Sequence, residues 1–248
     1  MTTKSKILAH RTLGKIRNLF SNVLFWFGVV LVAFTAILSV HFVWPLSKPR
    51  WWADFFGIAV GFLASGITSF LFYFLVVYVP ERRRKKTIKS NLLRIYRDIK
   101  RDILQQVIHA SIKGGRSDLE ASCEEIERLM DPNEFRATFR DGREGHEGFY
   151  AFMNQMSDNT PEFQEIILNL KMLSKQIEFV IHNLSFDDES LFGFFKRLEL
   201  TLLALKNSRP GYDESKELCR FILEICAGWG FVKGYRDYDI IERMILEL

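Results

Sequence analysis

No acidic residue precedes Asp54, and neither residues 22–44 nor residues 55–79 contain a single Lys, Arg, Asp or Glu. Runs that long without charge are rare in the buried helices of soluble proteins and are what a bilayer core selects. Cysteine is scarce. Cys123, Cys219 and Cys226 form no Cys-x-x-Cys, and no histidine stands at metal-ligand spacing, which argues against a disulfide framework and a zinc site. A phosphate-cradling glycine loop, a nucleophile elbow and a kinase signature are all missing. No metal or cofactor is expected, and the chain is not expected to be an enzyme. Internal repeats, low-complexity tracts and alternating β-branched runs are missing too, which excludes solenoids and β-sandwiches and leaves an all-α chain.

What is present begins with those two apolar runs. At about 1.5 Å per residue, residues 22–44 extend roughly 35 Å and residues 55–79 about 37 Å, each enough for a hydrocarbon core of about 30 Å. A cleaved signal peptide does not fit the first run. It exceeds an h-region of roughly 7–15 residues, and Trp44-Pro45 offers no small-residue cleavage site. Ahead of it stand Lys4, Lys6, Arg11, Lys15 and Arg17. The connector holds only Lys48 and Arg50, and behind the second run come Arg82, Arg83, Arg84, Lys85 and Lys86, then Lys89, Arg94, Arg97, Lys100 and Arg101. The positive-inside rule puts both termini in the cytoplasm and residues 45–52 outside, as a two-span protein of the inner membrane. Trp44, Trp51 and Trp52 then lie at the outer interface and Tyr78 at the inner one. His41, the only histidine in either span, lies near the outer end, where water reaches it.

Gly57, Gly61, Ser65 and Ser69 recur every four residues on the second span. Small residues at that spacing let helix backbones approach closely, either within the hairpin or against another copy of the chain. Arg82 to Lys86 are placed to meet anionic lipid, worth about 1 kcal/mol per residue near the surface. They also suffice as a stop-transfer signal.

Charge divides the chain. Residues 102–248 carry 17 Lys+Arg against 27 Asp+Glu, a net −10 within a chain of +4. Nucleic acid is therefore an unexpected partner. The reading that follows is a basic segment at 1–21, a transmembrane hairpin at 22–79, a basic neck helix at 80–110 and an acidic cytoplasmic helical domain at 111–248. A break is expected near Pro80.

Within that domain the period is helical. The neck runs from about Thr87 to Ala110, with Ile88, Leu92, Ile95, Ile99, Ile103 and Val107 inward, and Gly114-Gly115 stops it. Ser117 with Glu120 makes a capping box for a helix ending near Met130, and Pro132 starts another. Residues 140–148 read as a polar loop. Thr160-Pro161 opens a helix to about Leu184, Asp187 or Asp188 opens the next, residues 207–211 break it, and helices follow from about Asp213 to Ala227 and near Ile240 to Leu248. Short connections favour an antiparallel bundle. All three thiols are expected to be packed.

The one catalytic-looking spacing is Arg140-x5-His146. It resembles the arginine-histidine pattern of HEPN-type ribonucleases, themselves small helical bundles, and that resemblance would make the pair catalytic. Asp141, Gly142 and Gly145 favour a loop where that family has a helix. Adjacent acids such as Glu124/Glu125 diverge by about 100° on a helix and suit a solvated face. Residues 228–239 differ in kind. Trp229, Phe231, Tyr235 and Tyr238 stand beside three glycines, a composition suited to a ligand pocket, to a partner contact or to a packed corner.

In layout the chain resembles the two-span membrane effectors of bacterial antiphage systems, retron- and CRISPR-associated. The resemblance implies a homo-oligomer that breaches the membrane when its cytoplasmic domain receives a protein or small-molecule trigger. A passive membrane-tethered scaffold and a tethered ribonuclease are the alternatives.

Overall fold

A computed structural model describes residues 23–43, 51–139, 148–186, 188–230 and 234–248. Among these the chain is helical, with one two-residue β ladder as the exception. It divides into two compact units, Met1–Arg84 and Lys85–Leu248.

In the first unit, α1 (Val23–Val43) and α2 (Trp51–Tyr73) are long and apolar enough to cross a membrane, and neither is buried within the protein. They pack against each other. Phe27 stacks on Phe70 at 4.1 Å, Val30 approaches Gly66, and His41 stacks on Phe56 at 3.7 Å while accepting a 3.3 Å hydrogen bond from Trp52 Nε1. These pairs run in opposite order along the two helices, so the packing is antiparallel. The half-buried residues Phe27, Val30, Phe34, Ile37 and His41 step by three and four, as do Trp52, Phe56, Ala59, Leu63, Ile67, Phe70 and Phe74. That alternation keeps one seam facing the neighbour in near-parallel helix packing. Thr35, Ser39 and Thr68 turn their hydroxyls back to carbonyls of their own helix, at 2.8–3.0 Å. Polar side chains so placed ask nothing of the surroundings.

The expected break near Pro80 does not occur. Proline lacks an N–H, and its ring collides with the carbonyl four residues back. Here a π-helical turn, Phe74–Tyr78, precedes it, and the Val79 N–H bonds the Phe74 carbonyl five residues back. The register slips by one residue just where Pro80 needs room, and α3 (Val79–Lys113) continues through it. The start of α2 is also earlier than expected, at Trp51 instead of Phe55.

In the second unit, α3 buries Leu92, Ile99, Ile103 and Val107 as expected, with Ile88 and Ile95 packed at the edge. Gly115, at φ +113°, ends it. The stretch 117–122 is not helical. Arg116 binds Asp118 and the Thr138 and Gly148 carbonyls, which holds this segment in a turn. The cap moves to Ser122, whose Oγ accepts from the Glu125 N–H, and α4 is only Cys123–Leu129. Then come α5 (Pro132–Phe139) and α6 (Tyr150–Gln155), the latter unanticipated. Next is α7 (Pro161–Asn183), capped by Thr160, with Phe163, Ile166, Leu170, Leu173 and Ile177 buried. Asp188 caps α8 (Glu189–Leu205), and α9 (Lys216–Ala227) starts three residues later than expected. The ladder β1 (Trp229–Gly230) with β2 (Gly234–Tyr235) and α10 (Ile240–Glu247) close the chain. Cys219 and Cys226 are buried, but Cys123 is exposed at the first position of α4, contrary to expectation.

Gly114 sets how closely α3 and α6 approach. A Cβ there would collide with the Ala151 backbone carbonyl, which has no side-chain freedom with which to retreat. Gly114→Ala is expected to destabilise the second unit by about 1–3 kcal/mol, as overpacking does. Urea unfolding followed by circular dichroism checks it, and the midpoint should fall with an unchanged slope.

Candidate functional site

The segment between α9 and α10 carries the most unusual chemistry. α9 ends at Gly228 with φ +64°, and a Cβ there would strike the Arg236 carbonyl. Glycine is therefore required. The Arg236 N–H returns to the Gly228 carbonyl at 2.9 Å, closing the small hairpin in which Trp229 pairs with Tyr235.

Arg136 of α5 clamps this hairpin from outside. Its guanidinium donates to the Ala227 carbonyl at 2.9 Å, to the Arg236 carbonyl at 2.7 Å and to Asp237 at 3.1 Å, and lies 5.2 Å over the Tyr235 ring. Five fixed donors suit one arginine to this carbonyl-rich corner. Beside it runs a groove of about 490 Å³, with Phe135, Phe139, Leu223 and Tyr235 among its walls. Tyr235 and Tyr238 are exposed and Trp229 is half-buried.

Behind the hairpin lies a buried polar cluster. Lys100, 1 % exposed, donates to Asp239 at 2.9 Å, and the Tyr96 hydroxyl donates to the same oxygen. Lys100 also reaches the Met130 carbonyl at 3.3 Å. The other Asp239 oxygen accepts from the Ile241 and Glu242 N–H groups and caps α10. Burial, and then the negative charge of Asp239, hold the Tyr96 phenol well above its ordinary 10.0. Burial pushes the Cys226 thiol nearby up to about 12, and Cys219 likewise. None of these groups is accessible enough to act on a substrate.

The other candidates are placed as follows. Arg140, His146 and Phe231 lie outside the described residues. Gly57, Gly61, Ser65 and Ser69 are exposed on α2. At 100° per residue they centre on the face opposite the α1 seam, and beyond the local helix backbone no atom comes within 4 Å of a Cβ built at Gly57 or Gly61. They do not build the contact with α1. Arg82, Arg83, Arg84 and Lys86 are exposed, and Lys85 is half-buried. No group of His, Cys, Asp and Glu fit to hold a metal occurs among the described residues.

Sequence spacing marks neither Tyr96 nor Arg136 and places Lys100 only among the basic residues of the neck. The signal was there for two of them, since Tyr96 and Lys100 fall on the Leu92, Ile99, Ile103 face of α3. A lysine on a core stripe demands a buried anion.

No family model matches the chain, and no curated protein or solved structure matches it either.

The raised phenol and thiol values make a signed prediction. A group held neutral by the fold contributes stability below its ordinary value, and that contribution is lost as pH rises toward the folded one. The urea midpoint of the second unit is therefore expected to decline as pH climbs from 9 toward 12, and the decline should be shallower in Cys219→Ala/Cys226→Ala.

Proposed function

We propose that this chain is an integral protein of the bacterial inner membrane, with two spans and both termini cytoplasmic. It self-associates and disturbs the bilayer under control of its helical second unit, in the manner of antiphage effectors. The observation that carries this reading is the division of α2 into two faces: an aromatic and aliphatic seam turned to α1, and the stripe Gly57, Gly61, Ser65 and Ser69 turned away from it. Lipid supplies little hydrophobic drive between helices, so association relies on close backbone packing, and the outward stripe offers that to another copy. Two helices enclose no aqueous path by themselves, so any pore requires several copies. Arg82 to Lys86 would rest against anionic headgroups on the inner face. The retron- and CRISPR-associated comparison rests on layout alone.

A second reading, the membrane-tethered scaffold, draws on a separate observation. The groove beside Arg136 and the exposed Tyr235 and Tyr238 suit a protein or small-molecule contact. In the first reading the same surface receives the trigger. The ribonuclease alternative rests on Arg140 and His146, which lie outside the described residues.

Gly61→Leu and Ser65→Leu are expected to abolish growth arrest and membrane depolarisation on overexpression, and to lower the mass of the detergent-purified particle to that of a smaller assembly. Unchanged toxicity and unchanged mass would contradict the assembly role. A wild-type chain that never alters membrane potential would favour the scaffold.

A further inference from the structure

The C-terminal segment is held by polar contacts to α3 as well as by a few apolar residues. α10 buries only Ile241 and Ile245 within its length, followed by Leu248. Its seat is also open on one side. A cavity of about 170 Å³ remains between α8, α9 and α10, with Phe194, Thr201, Glu224, Ile240 and Ile241 among its walls. Burial pushes the Glu224 carboxyl up.

Four side chains of α3 fasten the segment by polar contacts. Tyr96 and Lys100 meet Asp239, Arg97 Nε meets Glu242 at 2.9 Å, and Lys89 reaches the Leu246 carbonyl. Four side chains on one face of α3, at positions 89, 96, 97 and 100, thus grip one short helix. Ionic contacts differ from apolar ones in what happens on opening. Water takes over each separated charge, so the open state regains much of what the closed state held. An apolar core has no such substitute. A short element with few buried apolar residues, an open-sided seat and polar fastenings belongs to the low-stability end of a fold.

We propose that residues 239–248 form a separable clasp on α3, which opens while the α7 and α9 core stays folded. Opening bares the Tyr96 and Lys100 face of α3 together with Ile241, Ile245 and Leu248 of the clasp. The hairpin that Arg136 holds lies immediately before the clasp, so a partner in the neighbouring groove acts on the segment that leads into Asp239. The regulatory consequence rests on the function proposed above: the closed clasp is the restrained state, and its release permits assembly.

Hydrogen exchange of the full chain in nanodiscs, resolved by peptide, tests the clasp independently of that function. In the wild type, amides of 240–248 are expected to exchange at least tenfold faster than those of α7 and α9. Asp239→Asn keeps the shape and the cap but removes the charge, and should speed exchange in 240–248 by a further tenfold while leaving α7 and α9 unchanged. Lys100→Met/Asp239→Asn, which keeps the cap and removes both buried charges, should return protection of 240–248 toward the wild-type level. Exchange of 240–248 in step with α7 and α9, or an equal acceleration of every helix by Asp239→Asn, would overturn the clasp. A separate opening accompanied by wild-type toxicity in Asp239→Asn would overturn only its regulatory role. Absence of toxicity in the wild type would count against the proposed function and leave the exchange result standing.

Discussion

Every backbone N–H and C=O of an apolar helix must find its partner inside the helix when the solvent offers none. α1 and α2 meet that condition. They carry no internal charge apart from Asp54 near the start of α2, they return the hydroxyls of Thr35, Ser39 and Thr68 to their own carbonyls, and they remain uncovered by the rest of the protein. In water, so much exposed aromatic and aliphatic surface would be unfavourable by about 25 cal/mol per Å². Lipid as the solvent, as proposed above, would remove that penalty, and with it the drive that usually joins helices. What would remain is shape: a heptad seam that joins α1 to α2, and a small-residue stripe on the opposite face of α2.

The second unit follows the opposite rule. Its stripes of Leu, Ile and Phe meet in one core, and water supplies the drive. Inside that core lies one expensive feature, the Lys100–Asp239 pair with Tyr96, both charges nearly free of solvent. Such a pair contributes little net stability against an apolar replacement of equal volume, but removing one partner is costly. Its effect is to define where α10 docks and in which register. A docking point defined by charge is also one that water reopens.

Much of this architecture was legible in the sequence, and the reasons differ by element. The apolar runs, the Thr160 and Asp188 caps and the core stripe of α7 depend on local pattern, which sequence carries directly. The failures arose where tertiary contacts overrode it. Ser117 with Glu120 and Ser122 with Glu125 are equally good capping boxes, and the choice is made by Arg116, bound to carbonyls of residues far along the chain. Pro80 is tolerated because a π turn shifts the register before it, which no residue type announces. The Trp229–Tyr235 ladder is too short to show alternation. At the candidate site the aromatic hairpin was visible by composition, whereas Arg136 was not, since its three partners across the chain are two backbone carbonyls and an exposed Asp237, none of which leaves a trace in periodicity.

The central claim is that α1 and α2 have lipid as their solvent. An alkaline carbonate wash of membranes from cells making the full chain tests it most directly, because it strips proteins held by charge and leaves those held by apolar surface. Complete retention in the pellet, with release only by detergent, is the expected result. Recovery of the chain in the carbonate supernatant would contradict it, and the assembly built on α2 would fall with it.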